Sequence, residues 1–178
     1  MSHEITNIDD ANIVSGQAIA RSEFGITNGL FWSPNGARLA FYQKDESAVA
    51  DYPLLDNSTT PGTLMNLKYP MAGQSSEHAR VGIYDLKSKK LVYFEAKMGD
   101  ENYLTNLSWT PDEKYVLIAE VNRDQDHMWL NVYDAATGKF QKTILEEESD
   151  TWVEPEHPAF FPMDDSYNFV WISEKDGF

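Results

Sequence analysis

Two short elements recur at a spacing of about 50 residues, and this internal period limits the possible folds more than any other property of the chain. The first is an aromatic pair or near-pair, a Pro, a turn and a hydrophobic run. It occurs as Phe31-Trp32-Ser33-Pro34-Asn35-Gly36 before Leu39-Ala40-Phe41-Tyr42, and as Ser108-Trp109-Thr110-Pro111-Asp112 before Tyr115-Val116-Leu117-Ile118-Ala119. It occurs again as Phe160-Phe161-Pro162-Met163-Asp164 before Phe169-Val170-Trp171-Ile172. Each copy reads as strand, tight turn, strand. The second element is a hairpin signal, Gly82-Ile83-Tyr84-Asp85-Leu86-Lys87-Ser88 and Asn131-Val132-Tyr133-Asp134-Ala135-Ala136-Thr137, flanked by β-prone residues. Tyr84 and Tyr133 stand 49 positions apart, and Trp109 and Phe160 stand 51 apart.

A unit of that length holding several short strands fits a four-stranded blade, too small to bury both sheet faces alone and therefore stacked on its neighbours. Prolonged helical periodicity is absent. The expected fold is all-β: a partial β-propeller of about three blades of four-stranded antiparallel sheet, in an incomplete ring. Residues 1–178 are expected to form one fragment of a propeller domain, with blade-like units at about 28–98, 103–147 and, in part, 152–178. The first unit is the longest, because Trp32 to Tyr84 spans 52 positions where Trp109 to Tyr133 spans 24. The surplus is assigned to an insertion over 45–78. There Pro53, Asn57 to Gly62 and Pro70 mark turns, and Thr63-Leu64-Met65-Asn66-Leu67-Lys68-Tyr69 alternates as a strand does. Units of this kind leave open edges and uncovered faces, which favour self-association.

Charge and composition exclude several functions. Fourteen Lys and Arg against 29 Asp and Glu give a net charge of −15, with no basic cluster to neutralise a run of phosphates, so nucleic acid is not expected as a partner. Acidity of this size is most simply solubility, although an acidic cleft also attracts cations such as free amino termini. The chain has no Cys, which removes disulfides, thiolate catalysis and Cys-based zinc sites. His3, His78, His127 and His157 have no metal-ligand spacing, and Asp124, Asp126 and Asp134 do not form a calcium loop, so neither metal nor cofactor is expected. No stretch of about 18 apolar residues suggests a membrane segment, and the first residues do not read as a signal peptide. Gly73-Gln74-Ser75-Ser76-Glu77 lacks the second Gly of a nucleophile elbow, so no catalytic residue is assigned. Trp32, Trp109 and Trp171 read as inter-blade core, and Asn106 of the Asn106-Leu107-Ser108 sequon as structural.

Tyr69-Pro70-Met71-Ala72-Gly73, placed after Trp32-Ser33-Pro34-Asn35-Gly36, resembles the Tyr-Pro-x-Ala-Gly element of the dipeptidyl peptidase IV amino-terminal propeller. Asn122-Arg123-Asp124-Gln125, Trp152-Val153-Glu154-Pro155-Glu156-His157-Pro158 and Ser173-Glu174-Lys175-Asp176-Gly177-Phe178 are also similar to that family, particularly its bacterial members. In order and spacing, these motifs cover the chain from about Ile13 onward. The resemblance implies a propeller above an α/β-hydrolase domain carrying Ser, Asp and His, a domain not seen in this sequence. It also implies that the propeller's carboxylates hold the free amino terminus of a peptide, so that N-terminal dipeptides are released.

In that family a Glu pair does this just before the Trp-Ser-Pro turn. Glu23 matches the second Glu of the pair; Arg21 and Ser22 stand where the first is expected. The bare sequence reads Glu23 as a solvated loop carboxylate, whereas the resemblance makes it a substrate contact. Trp152 and Glu154 are further candidates for substrate binding, on a cavity wall or on a plain connection between blades. Two other readings stand beside this one: a non-catalytic binding propeller, and the propeller of an acylaminoacyl peptidase or oligopeptidase. A periplasmic, cell-surface or secreted location follows if the resemblance holds.

Overall fold

The computed structural model describes residues 4–96, 101–173 and 175. The end of the expected first unit, at 97–98, and most of the terminal Ser173–Phe178 run lie outside the described residues.

Among the described residues the chain is all-β apart from two single 3₁₀ turns, Ala20–Ser22 and Pro162–Asp164. In the first blade β1 (Ile13–Ser15) and β2 (Leu30–Trp32) share one edge of β3 (Arg38–Asp45). β2 pairs with Leu39 to Phe41 and β1 with Gln43 to Asp45. Gly16 donates to the Tyr42 carbonyl at 2.8 Å, and the Tyr42 N–H donates to Gly29 at 3.0 Å, so the two pieces behave as one strand interrupted by a loop over 17–28. Gly29 closes that loop: a Cβ there would overlap the backbone of Gln17, which only a residue without a side chain avoids.

The insertion forms its own hairpin, β4 (Asp51–Asp56) with β5 (Thr63–Lys68), within the expected 45–78. It places Tyr52, Leu54, Met65 and Leu67 on one face, by the period-2 alternation of a paired ribbon. The blade then resumes with β6 (His78–Asp85) against β3, and β7 (Leu91–Tyr93) closes it.

The second blade is a meander of β8 (Tyr103–Trp109), β9 (Tyr115–Val121), β10 (His127–Asp134) and β11 (Phe140–Glu148), in sheet order β11-β10-β9-β8. Its turns show why the sequence repeats. The Ser33 hydroxyl accepts the Arg38 N–H at 3.1 Å, and the Thr110 hydroxyl accepts the Tyr115 N–H at 3.1 Å, so a hydroxyl before Pro closes the same turn twice. Asp85 Oδ1 accepts the Ser88 N–H at 2.7 Å, and Asp134 Oδ1 accepts the Thr137 N–H at 2.8 Å. Bonds from the Ser88 N–H and hydroxyl, and then from Arg38, hold the Asp85 carboxyl down to about 2.

Ala40, Tyr42, Val81 and Ile83 of the first blade join Leu104, Trp109, Val116 and Tyr133 of the second in one buried cluster. Phe94 stacks on Tyr133 with ring centres 4.8 Å apart, and Trp109 Nε1 donates to the Phe31 carbonyl at 3.1 Å across the gap. Between the blades Glu120, fully buried, takes a hydrogen bond from the Tyr133 hydroxyl. The sheets lie side by side as an open array, and burial of their facing apolar surfaces is the main stabilising term.

Two expectations change. Trp32 is 56% exposed, because it lies with Leu30 on the face of the first blade turned away from the second, where no neighbour covers it; it is not inter-blade core. The third unit forms one antiparallel bridge, Phe160 to Val170, rather than two strands. Met163 and Asp164 take left-handed conformations in its turn, and no further strand pairs with it among the described residues.

Candidate functional site

The loop over 17–28 interrupts an edge strand and carries Glu23. Compact surface loops whose ends meet are a common place for binding groups. Its apolar residues fold inward: Ile19, Phe24 and Ile26 are buried, and the Phe24 ring lies 5.1 Å from that of Tyr103. Anchored on both sides, Glu23 itself is exposed. The backbone is strained, with Ala20, Ser22 and Phe24 at φ of 50°, 68° and 57°. Non-glycine residues hold such angles only where their surroundings enforce them, and such strain clusters at ligand clamps.

Buried polar groups do the enforcing. Glu77, at the foot of β6, accepts the Ala20 N–H at 2.7 Å. Its other oxygen stands 3.2 Å from Lys44 Nζ, which also pairs with Glu46 at 2.9 Å. The Ala20 carbonyl then accepts the Glu23 N–H at 3.0 Å.

Gly25 rests on the second candidate segment, Trp152 to Pro158, and a Cβ there would overlap the Glu156 carbonyl. Val153 and Pro155 turn inward while Trp152, 66% exposed, turns out, as alternation in an extended segment requires. Two bonds tie this segment to the second blade: Val153 N–H to the Gln125 carbonyl at 2.6 Å, and Asn106 Nδ2 to the Pro155 carbonyl at 2.5 Å. Asn106 is buried at an irregularity in β8, with φ of 52°, so it serves structure as expected.

Trp152 and Glu154 line one cleft of about 70 Å³ with Glu147, Glu148, Glu156 and His157. In this measure one water needs roughly 10–15 Å³, so the cleft admits a few water-sized groups and not a whole peptide. Four carboxylates around so small a space favour a cation, and Lys175, which also lines the cleft, is one already in place. Glu23 does not line this cleft; it sits on the neighbouring loop, which meets the same segment through Gly25 and Glu156. A second cavity of about 140 Å³ lies between that loop and the β8 irregularity, against Tyr42, Asn106 and Leu107. Burial pushes the Tyr42 phenol above its ordinary range. Among the described residues no group of three His, Asp or Glu could hold a metal ion, and no helix is long and apolar enough to cross a membrane.

Sequence reasoning did not find Glu77 or Lys44 as supports, and it read Asn106 as structural without its partner, the Pro155 carbonyl. Glu77 is 54 positions from Glu23, and no local pattern marks a contact at that separation.

Stacked four-stranded antiparallel blades, with a strained carboxylate-bearing loop set into an edge strand, define a segment of a β-propeller with a candidate cation site. The profile of the dipeptidyl peptidase IV (DPP IV) N-terminal region matches residues 1–178, and the chain belongs to that family. A solved Bacteroides ovatus structure, assigned as a dipeptidyl aminopeptidase IV, is 44% identical with a TM-score of 0.91, over 98% of this chain and 24% of that one. The Porphyromonas gingivalis dipeptidyl peptidase 4 structure shares the fold with a TM-score of 0.85, at 24% identity over 98% of this chain and 25% of that one. A Pyrenophora tritici-repentis protein named "Probable dipeptidyl-aminopeptidase B" is 29% identical over 85% of this chain and 20% of its own length. The chain thus spans about a fifth of that curated relative.

Proposed function

We propose that this chain is the substrate-gating part of a longer serine exopeptidase that removes N-terminal dipeptides, and that Glu23 accepts hydrogen bonds from the peptide's α-ammonium. One observation carries this reading: an exposed carboxylate on a strained loop whose flanks are buried and hydrogen-bonded on both sides. Evolved sites hold a charged group this way because a fixed acceptor binds an ammonium without first losing side-chain freedom. Trp152 and Glu154 form the adjoining wall, with the Trp face offering apolar contact to the peptide's first side chains. An ammonium held there sets the distance to the scissile bond, so dipeptide release follows from geometry. The nucleophile, its base and the penultimate-residue pocket belong to an α/β-hydrolase domain elsewhere in the longer protein. A periplasmic, cell-surface or secreted setting agrees with peptide substrates.

Self-association belongs to this reading too, through the open first-blade face bearing Leu30 and Trp32. A binding-only propeller is the second reading, favoured by Arg21 and Ser22 standing where a partner carboxylate for Glu23 is expected.

The test is hydrolysis of a chromogenic dipeptide by the full-length protein, with the amine free or acetylated, beside Glu23→Ala. Cleavage of the free form alone, with kcat/KM reduced about tenfold or more in the variant (roughly 1.4 kcal/mol of transition-state binding), supports the proposal. Cleavage of the acetylated form points instead to an acylaminoacyl peptidase or oligopeptidase, and no cleavage of either leaves the binding propeller.

A further inference from the structure

We infer that Glu77 is a positioning residue for Glu23, acting through the backbone of the 3₁₀ turn; this rests on the ammonium reading of Glu23. Glu77 serves two groups with its two oxygens: Oε1 takes the Ala20 N–H at 2.7 Å, and Oε2 lies 3.2 Å from Lys44 Nζ. The Lys44, Glu46 and Glu77 side chains are only 7%, 12% and 10% exposed. At that depth a polar group without a partner is costly, and both Glu77 oxygens have one.

The recipient of that bond explains its use. Ala20 opens the turn, so its N–H has no partner inside the turn, and its φ of 50° is one that a non-glycine residue avoids. The same residue also holds Glu23 from its other side, since the Ala20 carbonyl, in the next peptide unit, accepts the Glu23 N–H at 3.0 Å. The chain of contact therefore runs from Lys44 to Glu77, to the Ala20 N–H, across the Ala20 backbone whose φ is 50°, and from the Ala20 carbonyl to Glu23. The loop's own Ile19, Phe24 and Ile26 are buried and pack apolar surface, whereas the bond from Glu77 is made to a backbone N–H. Reach, rather than charge, is what Glu77 contributes to Glu23.

The two attributes separate by substitution in the full-length protein. Glu77→Gln keeps the reach and an oxygen acceptor, whereas Glu77→Asp keeps the charge and withdraws it by about 1.5 Å, one carbon–carbon bond. The readout is kcat/KM for a chromogenic dipeptide with a free amine, measured with and without Glu23→Ala. Glu77→Gln is expected within about threefold of wild type. Glu77→Asp is expected to lose about tenfold or more, chiefly as a raised KM, and to cost nothing further once Glu23 is Ala.

A support that merely stabilises the fold would lower activity equally in both backgrounds. Equal loss, a neutral Asp variant, or a Gln variant worse than Asp overturns the proposal while leaving Glu23 in place. A silent Glu23→Ala overturns the ammonium reading itself, and this proposal with it. Where the Asp variant does not fold, Glu77→Ala makes the same comparison without leaving a carboxylate buried.

Discussion

Gly25 is where the two candidate segments touch, and replacing it separates them. Gly25→Ala asks a Cβ to overlap the Glu156 carbonyl oxygen and to stand 3.0 Å from its carbon. The residue also sits at φ of +66°, where Ala is disfavoured by about 1–2 kcal/mol. That backbone term corresponds to a fall in melting temperature of about 2–8 °C, at roughly 2–4 °C per kcal/mol for a domain of this size. Relief of the overlap moves the Glu156 backbone by about 1 Å, and a misplacement of that size in a positioned site costs on the order of 100-fold in rate.

Gly138→Ala supplies the control. Gly138 has φ of +72°, and a Cβ there overlaps the Tyr93 carbonyl, so strain and clash are alike, but the contact joins the two blades away from both candidate segments. In the full-length protein both variants are expected to melt lower, by calorimetry. Only Gly25→Ala is expected to lose about 100-fold in kcat/KM on a free dipeptide substrate; Gly138→Ala stays within about threefold. A Gly25→Ala protein that melts lower yet turns over normally would refute the coupling of the two segments, and so would equal losses in both variants.

Further outcomes are expected elsewhere. Asn106→Ala removes the buried donor to the Pro155 carbonyl and is expected to cost about 1–3 kcal/mol, read as a shifted denaturant midpoint with an unchanged slope. Tyr133→Phe leaves buried Glu120 without its hydroxyl donor, at a similar cost, and Tyr133→Phe with Glu120→Leu recovers most of it by removing the orphaned carboxylate; thermal melts of the three variants check this. Asp85, whose carboxyl is held down to about 2 against an unfolded value near 3.9, contributes stability above the unfolded value that is lost as pH falls through the folded one. The stability gap between wild type and Asp85→Asn is accordingly expected to be constant above about pH 4 and to close towards pH 2, and a gap unchanged at pH 2 would contradict the assignment.

Much of the architecture was legible because its causes are local. A hydroxyl before Pro at Ser33 and Thr110, and an Asp three residues before Ser88 or Thr137, close turns by short-range bonds, and short-range bonds leave a repeating pattern in the sequence. The insertion could be placed because Pro53, Pro61 and Gly62 interrupt that pattern.

Burial of Trp32 was not legible, since an aromatic on a strand looks the same whether or not another sheet lies against it. The third unit, expected only in part, forms one bridge where two strands were read for a related reason: strand character at Phe169 to Ile172 needs a pairing partner. Of the candidate site, Glu23 could be singled out through a family motif, and Trp152 and Glu154 through the resemblance of the Trp152 to Pro158 run to the same family, one as an apolar face and the other as a carboxylate. What holds them could not. Lys44, Glu77 and Asn106 act across long separations in the chain, where only the fold brings a donor to its acceptor.

The most direct test of the ammonium site is a crystal structure of the full-length protein with a product dipeptide bound. The α-ammonium nitrogen is expected about 2.7–2.9 Å from a Glu23 carboxylate oxygen, the range of a charge-assisted bond, with the first side chain against Trp152. A dipeptide bound with its ammonium on other groups, and Glu23 facing solvent, would contradict the role proposed for this loop.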